Sequence, residues 1–136
     1  MEEGRDRALE VRRAVLGAEY VDRALAGASE FARPFQEFVT HYVWGEGWLD
    51  ETLDRKTRSL LTLALVTTLG QRDEIRLHVG GALRNGCSPA ELMALFKHVA
   101  LYAGVGMAVA AVNIANEELG SGEYASDGQT TEAEQS

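Results

Sequence analysis

Apolar residues recur along this chain with a helical period, and turn signals cut the pattern into segments. In residues 2–16, Ala8, Val11, Ala14 and Val15 gather on one side of a helix with charges on the other, and Gly17 closes the segment. A short helix is predicted over 18–26, ended by Gly27. Ser29 is the expected N-cap of a third helix, with Pro34 in its first turns, where a missing N–H matters least. Phe31, Phe35, Phe38, Val39 and Tyr42 then recur at helical spacing, a stripe predicted to face the core. Trp44-Gly45-Glu46-Gly47-Trp48 is expected to break that helix, since its glycines permit a tight turn.

Asp54 is placed to cap a helix that runs to about Leu69 and stops at Gly70. Its stretch from Leu60 to Leu69 is apolar on nearly every face, which suits a central helix or one shared with another subunit. A chain of 136 residues has little else to surround it, so the pattern predicts a subunit interface. The next helix begins near Asp73 and ends at Asn85-Gly86, a C-cap signal. Ser88-Pro89-Ala90-Glu91 is a capping box with proline at the first helical position, opening a helix to about Ala103. After Gly104 and Gly106, a last helix over about 107–119 is expected to bury Met107, Val109, Val112 and Ile114. Residues 120–136 are polar and low in complexity, and are expected to form a disordered acidic tail. The whole predicts an all-α, single-domain helical bundle of about six or seven helices over residues 1–119.

Composition narrows the function classes. Hydrophobic residues make up 46% and prolines number two, which suits helices around a real core. The net charge of −8 with no basic cluster argues against nucleic acid and against anionic membranes as partners. The single cysteine, Cys87, rules out an intramolecular disulfide and a Cys-rich zinc site. The charged N-terminus has no apolar core of a signal peptide, and the run Leu60 to Leu69 is too short to span a bilayer. A cytoplasmic protein is expected.

Chemistry enters at Glu74 and His78, four residues apart and so neighbours on one helix face. A carboxylate beside an imidazole at the edge of an apolar run is a candidate acid–base pair, although the spacing equally describes an ordinary surface pair. His98 and Tyr102 repeat the spacing on the following helix. His41, His78 and His98 do not have the spacings of a recognised metal-ligand set, and no metal is expected.

Read in order, the segments VRRAVLG, WGEGW, LDRKTRSLLTLA, DEIRLHVGGALRNG, SPAEL and HVALYAGV resemble the 4-carboxymuconolactone decarboxylase family across roughly residues 10–117. The resemblance implies an all-α fold of the alkyl hydroperoxidase D type, assembled as a homo-oligomer, a trimer or a hexamer built as a ring of dimers. The peroxidases of that superfamily need a glutamate and two cysteines ahead of the histidine. The corresponding positions here are Ser59, Gln71 and Glu74, with only His78 kept, so thiol peroxidase chemistry is excluded. What the resemblance implies instead is a cofactor-independent decarboxylase acting on a carboxylated lactone or β-keto-type acid. Losing CO2 beside a conjugated carbonyl leaves electrons that the carbonyl absorbs, so the protein has to hold the acid, stabilise the enolate and deliver one proton.

On this reading His78 donates the proton and Glu74 orients it or holds its charge. His98 shares acid–base duty or binds the lactone carbonyl with Tyr102 beside it, or else is a buried core histidine. Trp44 and Trp48 wall the pocket or simply pack. Arg58 clamps a carboxylate, or pairs with Asp54 one turn earlier. The family pattern breaks in two places. After Trp48 the usual R-P-G-L is replaced by Leu49-Asp50-Glu51-Thr52-Leu53, which loses an arginine and adds acid where a dianion would bind. The usual Y-x-G-x-P-A becomes Tyr102-Ala103-Gly104-Val105-Gly106-Met107, without its proline. These changes keep two further readings open: a relative recruited to isomerise, cyclise or decarboxylate a larger substrate in secondary metabolism, and a non-catalytic oligomeric ligand binder.

Overall fold

Asp54 and Ser88 cap helices as their side chains suggest. In a computed structural model that describes residues 2–121, the Asp54 carboxylate accepts from the Thr57 N–H at 2.7 Å. Ser88 Oγ accepts from the Glu91 N–H at 3.1 Å while Glu91 Oε1 accepts from the Ser88 N–H at 3.0 Å, a complete capping box. The α-helices are α1 (Glu2–Leu16), α2 (Ala18–Ala26), α3 (Arg33–Val39), α4 (Arg55–Thr68), α5 (Arg72–Arg84), α6 (Pro89–Tyr102) and α7 (Val105–Leu119), with a π-helical segment, Thr40–Trp48, continuing α3. Among the described residues there is no strand, and the fold is the expected all-α bundle. The expected tail lies, from residue 122 onward, outside the described residues.

Two apolar cores share this bundle. The larger joins α4, α5, α6 and α7 through Leu63, Ile75, Val79, Phe96, Ala111 and Ile114. The smaller joins α1, α2 and the π-helical segment through Val11, Val15, Val21, Trp44 and Trp48. Helix α5 belongs to both, because Leu77 packs against the smaller cluster while Ile75 and Val79 lie in the larger. The contact of α5 with α1 is close: a Cβ at Gly81 would stand 3.2 Å from Val15 O and 3.1 Å from its Cγ1. Arg84 Nη1 donates to the same Val15 carbonyl at 3.1 Å. The sharp joint between α1 and α2 is a single residue, Gly17, at φ +94, a backbone that other residues adopt with strain.

The N-terminal half departs from expectation in a coherent way. The WGEGW run does not break the helix; it widens it into a nine-residue π-helix, and neither glycine takes the positive φ of a tight turn. Trp44 and Trp48 stack there with ring centroids 5.1 Å apart, both buried. Ser29 caps a turn ahead of α3 rather than the helix itself, its Oγ accepting from the Ala32 N–H at 3.1 Å. The aromatic stripe predicted as core is exposed, Phe31 at 95% and Phe35, Phe38 and Tyr42 all more than half. Register explains this. Arg12 of α1 donates to Gln36 Oε1 and Thr40 Oγ1, both at 2.8 Å, so Gln36, Thr40, Trp44 and Trp48 form the inward line and the stripe beside it turns out.

Smaller corrections follow from packing. Helix α7 begins at Val105, and its inward face is Ala108, Ala111, Ile114 and Ala115. Met107 and Val109, expected inside, are exposed, and so is Ala14 of α1. On α4 the buried line is Ser59, Leu63 and Thr67, leaving Leu61, Leu65 and Leu69 in solvent.

Candidate active site

Helix α5 sets Glu74 and His78 by elimination of its other faces. Ile75 and Val79 point into the larger core and Leu77 and Arg84 toward α1, and positions 74, 78, 81 and 85 share the stripe between them, where Gly81 lets α1 approach. Asn85 ties that edge to α4, its Nδ2 donating to Ser59 Oγ at 2.8 Å. Along it His78 is buried, at 7% exposed, while the Glu74 side chain is about half exposed.

The pair is adjacent but not bonded. His78 Nε2 stands 3.6 Å from Glu74 Oε2, beyond hydrogen-bond length, and His78 Nδ1 is buried with no partner. Burial pushes the imidazole pKa down to about 4, so at neutral pH the ring is uncharged and the contact is no ion pair. A neutral buried imidazole with a free nitrogen can accept a proton, and can deliver one when negative charge arrives to hold it there.

The other predicted site residues form separate groups. Trp44 and Trp48 lie in the smaller core, and Leu77, next to His78 in sequence, packs into that cluster. Arg58 neither stands free nor pairs with Asp54. Its Nε and Nη2 donate to the Asp50 carbonyl at 3.2 and 2.8 Å, with Nη2 3.8 Å from the Asp50 carboxylate, pinning the loop that follows Trp48. Thr52 fastens the same loop by donating to Asp50 Oδ1 twice, which holds that carboxyl below its usual range. His98 and Tyr102 meet, ring centroids 4.8 Å apart, but both are exposed, Tyr102 at 82%, so His98 is not a buried core histidine in this chain. Helix α6 packs on α4 and α7 while α5 packs on α1, α4 and α7, so the two histidine pairs sit on helices that meet mainly through α4 and α7.

Cys87 is buried and its thiol is pushed up by that burial, in keeping with an inert residue. Among the described residues no three His, Cys, Asp or Glu side chains gather, and His41, His78 and His98 lie on three different segments.

Sequence reasoning missed Arg12. It falls on the apolar face of α1 between Ala8 and Val15, and a charge in that position is the signal that was available. It also missed a cavity of about 460 Å³ between α1 and the π-helical segment, with His41 in its lining.

The pattern of the Carboxymuconolactone decarboxylase family matches residues 33–117. The chain is 42% identical over 109 residues to 4-carboxymuconolactone decarboxylase of Acinetobacter baylyi, covering 80% of this chain and 81% of that one. It is 41% identical over 125 residues to the nitrosuccinic acid decarboxylase of Metarhizium robertsii, covering 88% of this chain and 86% of that one. Both alignments run well beyond the stretch that carries Glu74 and His78.

Proposed function

The chain belongs to the carboxymuconolactone decarboxylase family and is a carboxy-lyase, and we propose that it works without a cofactor, with His78 carrying the proton. The observation that supports this most is the state of His78: buried, neutral, with Nδ1 unpartnered and a carboxylate one turn away. An incoming carboxylate brings negative charge near the ring and favours its protonation from water. Loss of CO2 leaves an electron pair in the conjugated system of the substrate, and the imidazolium returns its proton to carbon. Glu74 then faces a charged neighbour and steadies it.

The substrate class is an acid whose departing carboxylate adjoins an electron sink, such as a carboxylated lactone or β-keto-type acid. Protocatechuate breakdown in the cytoplasm is the setting of the first reading. A second reading, a recruited family member acting on another acid, is favoured by Asp50 and Glu51 after Trp48 and by the 41% identity to a nitrosuccinic acid decarboxylase. A nitro group takes up an electron pair as a conjugated carbonyl does, so the same histidine serves both.

Trp44 and Trp48 back the pocket and Arg58 holds its loop. His98 and Tyr102 act from a neighbouring copy in a trimer or hexamer, for which the exposed Leu61, Leu65 and Leu69 of α4 provide a face. Leu65→Glu is expected to reduce the assembly to monomers in light scattering; an unchanged size removes that face from the interface.

The deciding experiment supplies freshly made 4-carboxymuconolactone and nitrosuccinic acid and follows CO2 release. His78→Ala is expected to lose at least about 100-fold in rate while keeping its helical content. Near-wild-type turnover of that variant on either acid would sink the mechanism.

A further inference from the structure

We propose that the cavity between α1 and the π-helical segment is a second binding site, for a small monocarboxylate with an apolar body, gripped by the Thr40 hydroxyl with Arg12 behind it. The inference stands apart from the decarboxylase reading, since none of its residues belongs to the Glu74–His78 edge.

Arg12 is the anomaly that leads there. Its side chain is on a residue only 5% exposed, yet both hydrogen-bond acceptors it meets, Thr40 Oγ1 and Gln36 Oε1, are neutral, and its Nε has no partner. Buried guanidinium groups ordinarily face a carboxylate or phosphate, because an uncompensated charge is held there at a cost. Burial accordingly depresses the Arg12 pKa, with only the Tyr20 phenol acting against it and no carboxylate. The molecule has built the cationic half of an ion pair.

Thr40 connects that charge to the cavity. It is buried, lines the cavity, and accepts from Arg12 Nη1 at 2.8 Å, so its own hydroxyl proton has to point elsewhere. Thr62 and Thr68 return theirs to the carbonyl four residues back, each at 2.8 Å; Thr40 makes no such bond. What is left is a buried hydroxyl donor, bonded to a guanidinium, on a residue that lines a cavity.

The remaining walls select the ligand. Ala8, Gly45 and Leu49 give an apolar surround with His41 among them. The volume of about 460 Å³ lies in the range of small-molecule sites. Arg5 and Glu37 close the rim by pairing with each other through two bonds of 3.0 Å, so neither is free to bind a ligand charge. Glu46 also lines the cavity and repels a second negative charge, which favours a monoanion over a dicarboxylate. The wall is one side of a nine-residue π-helix, a geometry that recurs at functional sites.

The test titrates the full chain with benzoate, with benzyl alcohol as its neutral match and phthalate as its dianion, following backbone amide shifts. Benzoate is expected to shift Ala8, Thr40 and Gly45 and to bind at least about 10-fold more tightly than benzyl alcohol or phthalate. Thr40→Val removes that preference and Thr40→Ser keeps it. A Cβ at Gly45 would meet Thr40 O at 3.5 Å and the Ala8 Cβ at 3.6 Å, ordinary contacts, so Gly45→Leu fills the cavity without clash at its root and blocks both ligands. His78→Ala leaves benzoate binding unchanged, which separates this site from the decarboxylase pocket. Equal binding of benzoate and benzyl alcohol, no binding of either, or a benzoate preference that survives Thr40→Val each overturns the proposal.

Discussion

The two halves of this bundle are held by different chemistry. The α4–α7 half closes around Leu63, Phe96, Ile114 and their neighbours, an apolar cluster with capped helix starts at Asp54 and Ser88. The α1–α3 half, with its π-helical extension, buries an arginine, a threonine and two stacked tryptophans. In the first, the clustered side chains need only to be apolar and to fit, and the buried Ser59, Thr67 and His78 lie outside that cluster. In the second, one set of hydrogen bonds from Arg12 decides which line of the long helix turns inward. Dispersed apolar packing tolerates imprecise patterning; a buried polar contact imposes a single register.

The difference predicts unequal responses to truncation. Phe96→Ala is expected to destabilise the chain by about 3–5 kcal/mol, because the ring is almost fully buried among residues from all four helices of its cluster. Chemical denaturation with a common slope measures it. A loss below about 1 kcal/mol would mean the larger cluster is loosely packed and the contrast is false.

His78 sits on the helix that the halves share, and its titration sharpens the comparison next. The unfolded chain takes up a proton as pH falls through about 6.5, whereas the folded imidazole resists until about 4. The unfolded state therefore binds more protons in that window, and stability rises with pH across it. The full contribution is present above about 6.5 and roughly 3 kcal/mol is lost on descending to about 4. Denaturation series at several pH values check this, with His78→Gln expected to flatten the slope. A slope unchanged in that variant would assign the pH dependence to other groups.

The same contrast explains what was legible in the amino-acid sequence. Helix ends at Gly17, Asp54, Gly86 and Ser88 were legible because capping is decided by residues a few positions apart. So was the adjacency of Glu74 to His78 and of His98 to Tyr102, which follows from helical rise alone. The inward line of α3 was not, since Arg12 lies 24 residues from Gln36 and 28 from Thr40. Nor was the π-helix, because glycines in WGEGW serve a tight turn as readily as a widened one. The depth of His78 depends on how close α5 comes to α1, which rests on Gly81 meeting Val15. Those contacts are tertiary, and periodicity carries no information about them.

The smallest expected effect tests the register itself. If Gln36, Thr40, Trp44 and Trp48 form the inward line, Phe38→Ser removes a ring that is more than half exposed and pairs with the exposed Phe35 and Tyr42. In dilute protein the change in stability should stay within about 0.5 kcal/mol, as for other surface substitutions. A loss of about 2 kcal/mol at every concentration would place Phe38 in the core and reverse the register assigned through Arg12. A loss that appears only as protein concentration rises has a different meaning, since stability that depends on concentration belongs to an assembly. The outward stripe would then be covered by a second copy, and the aromatic spacing that looked like core would be core between subunits rather than within one.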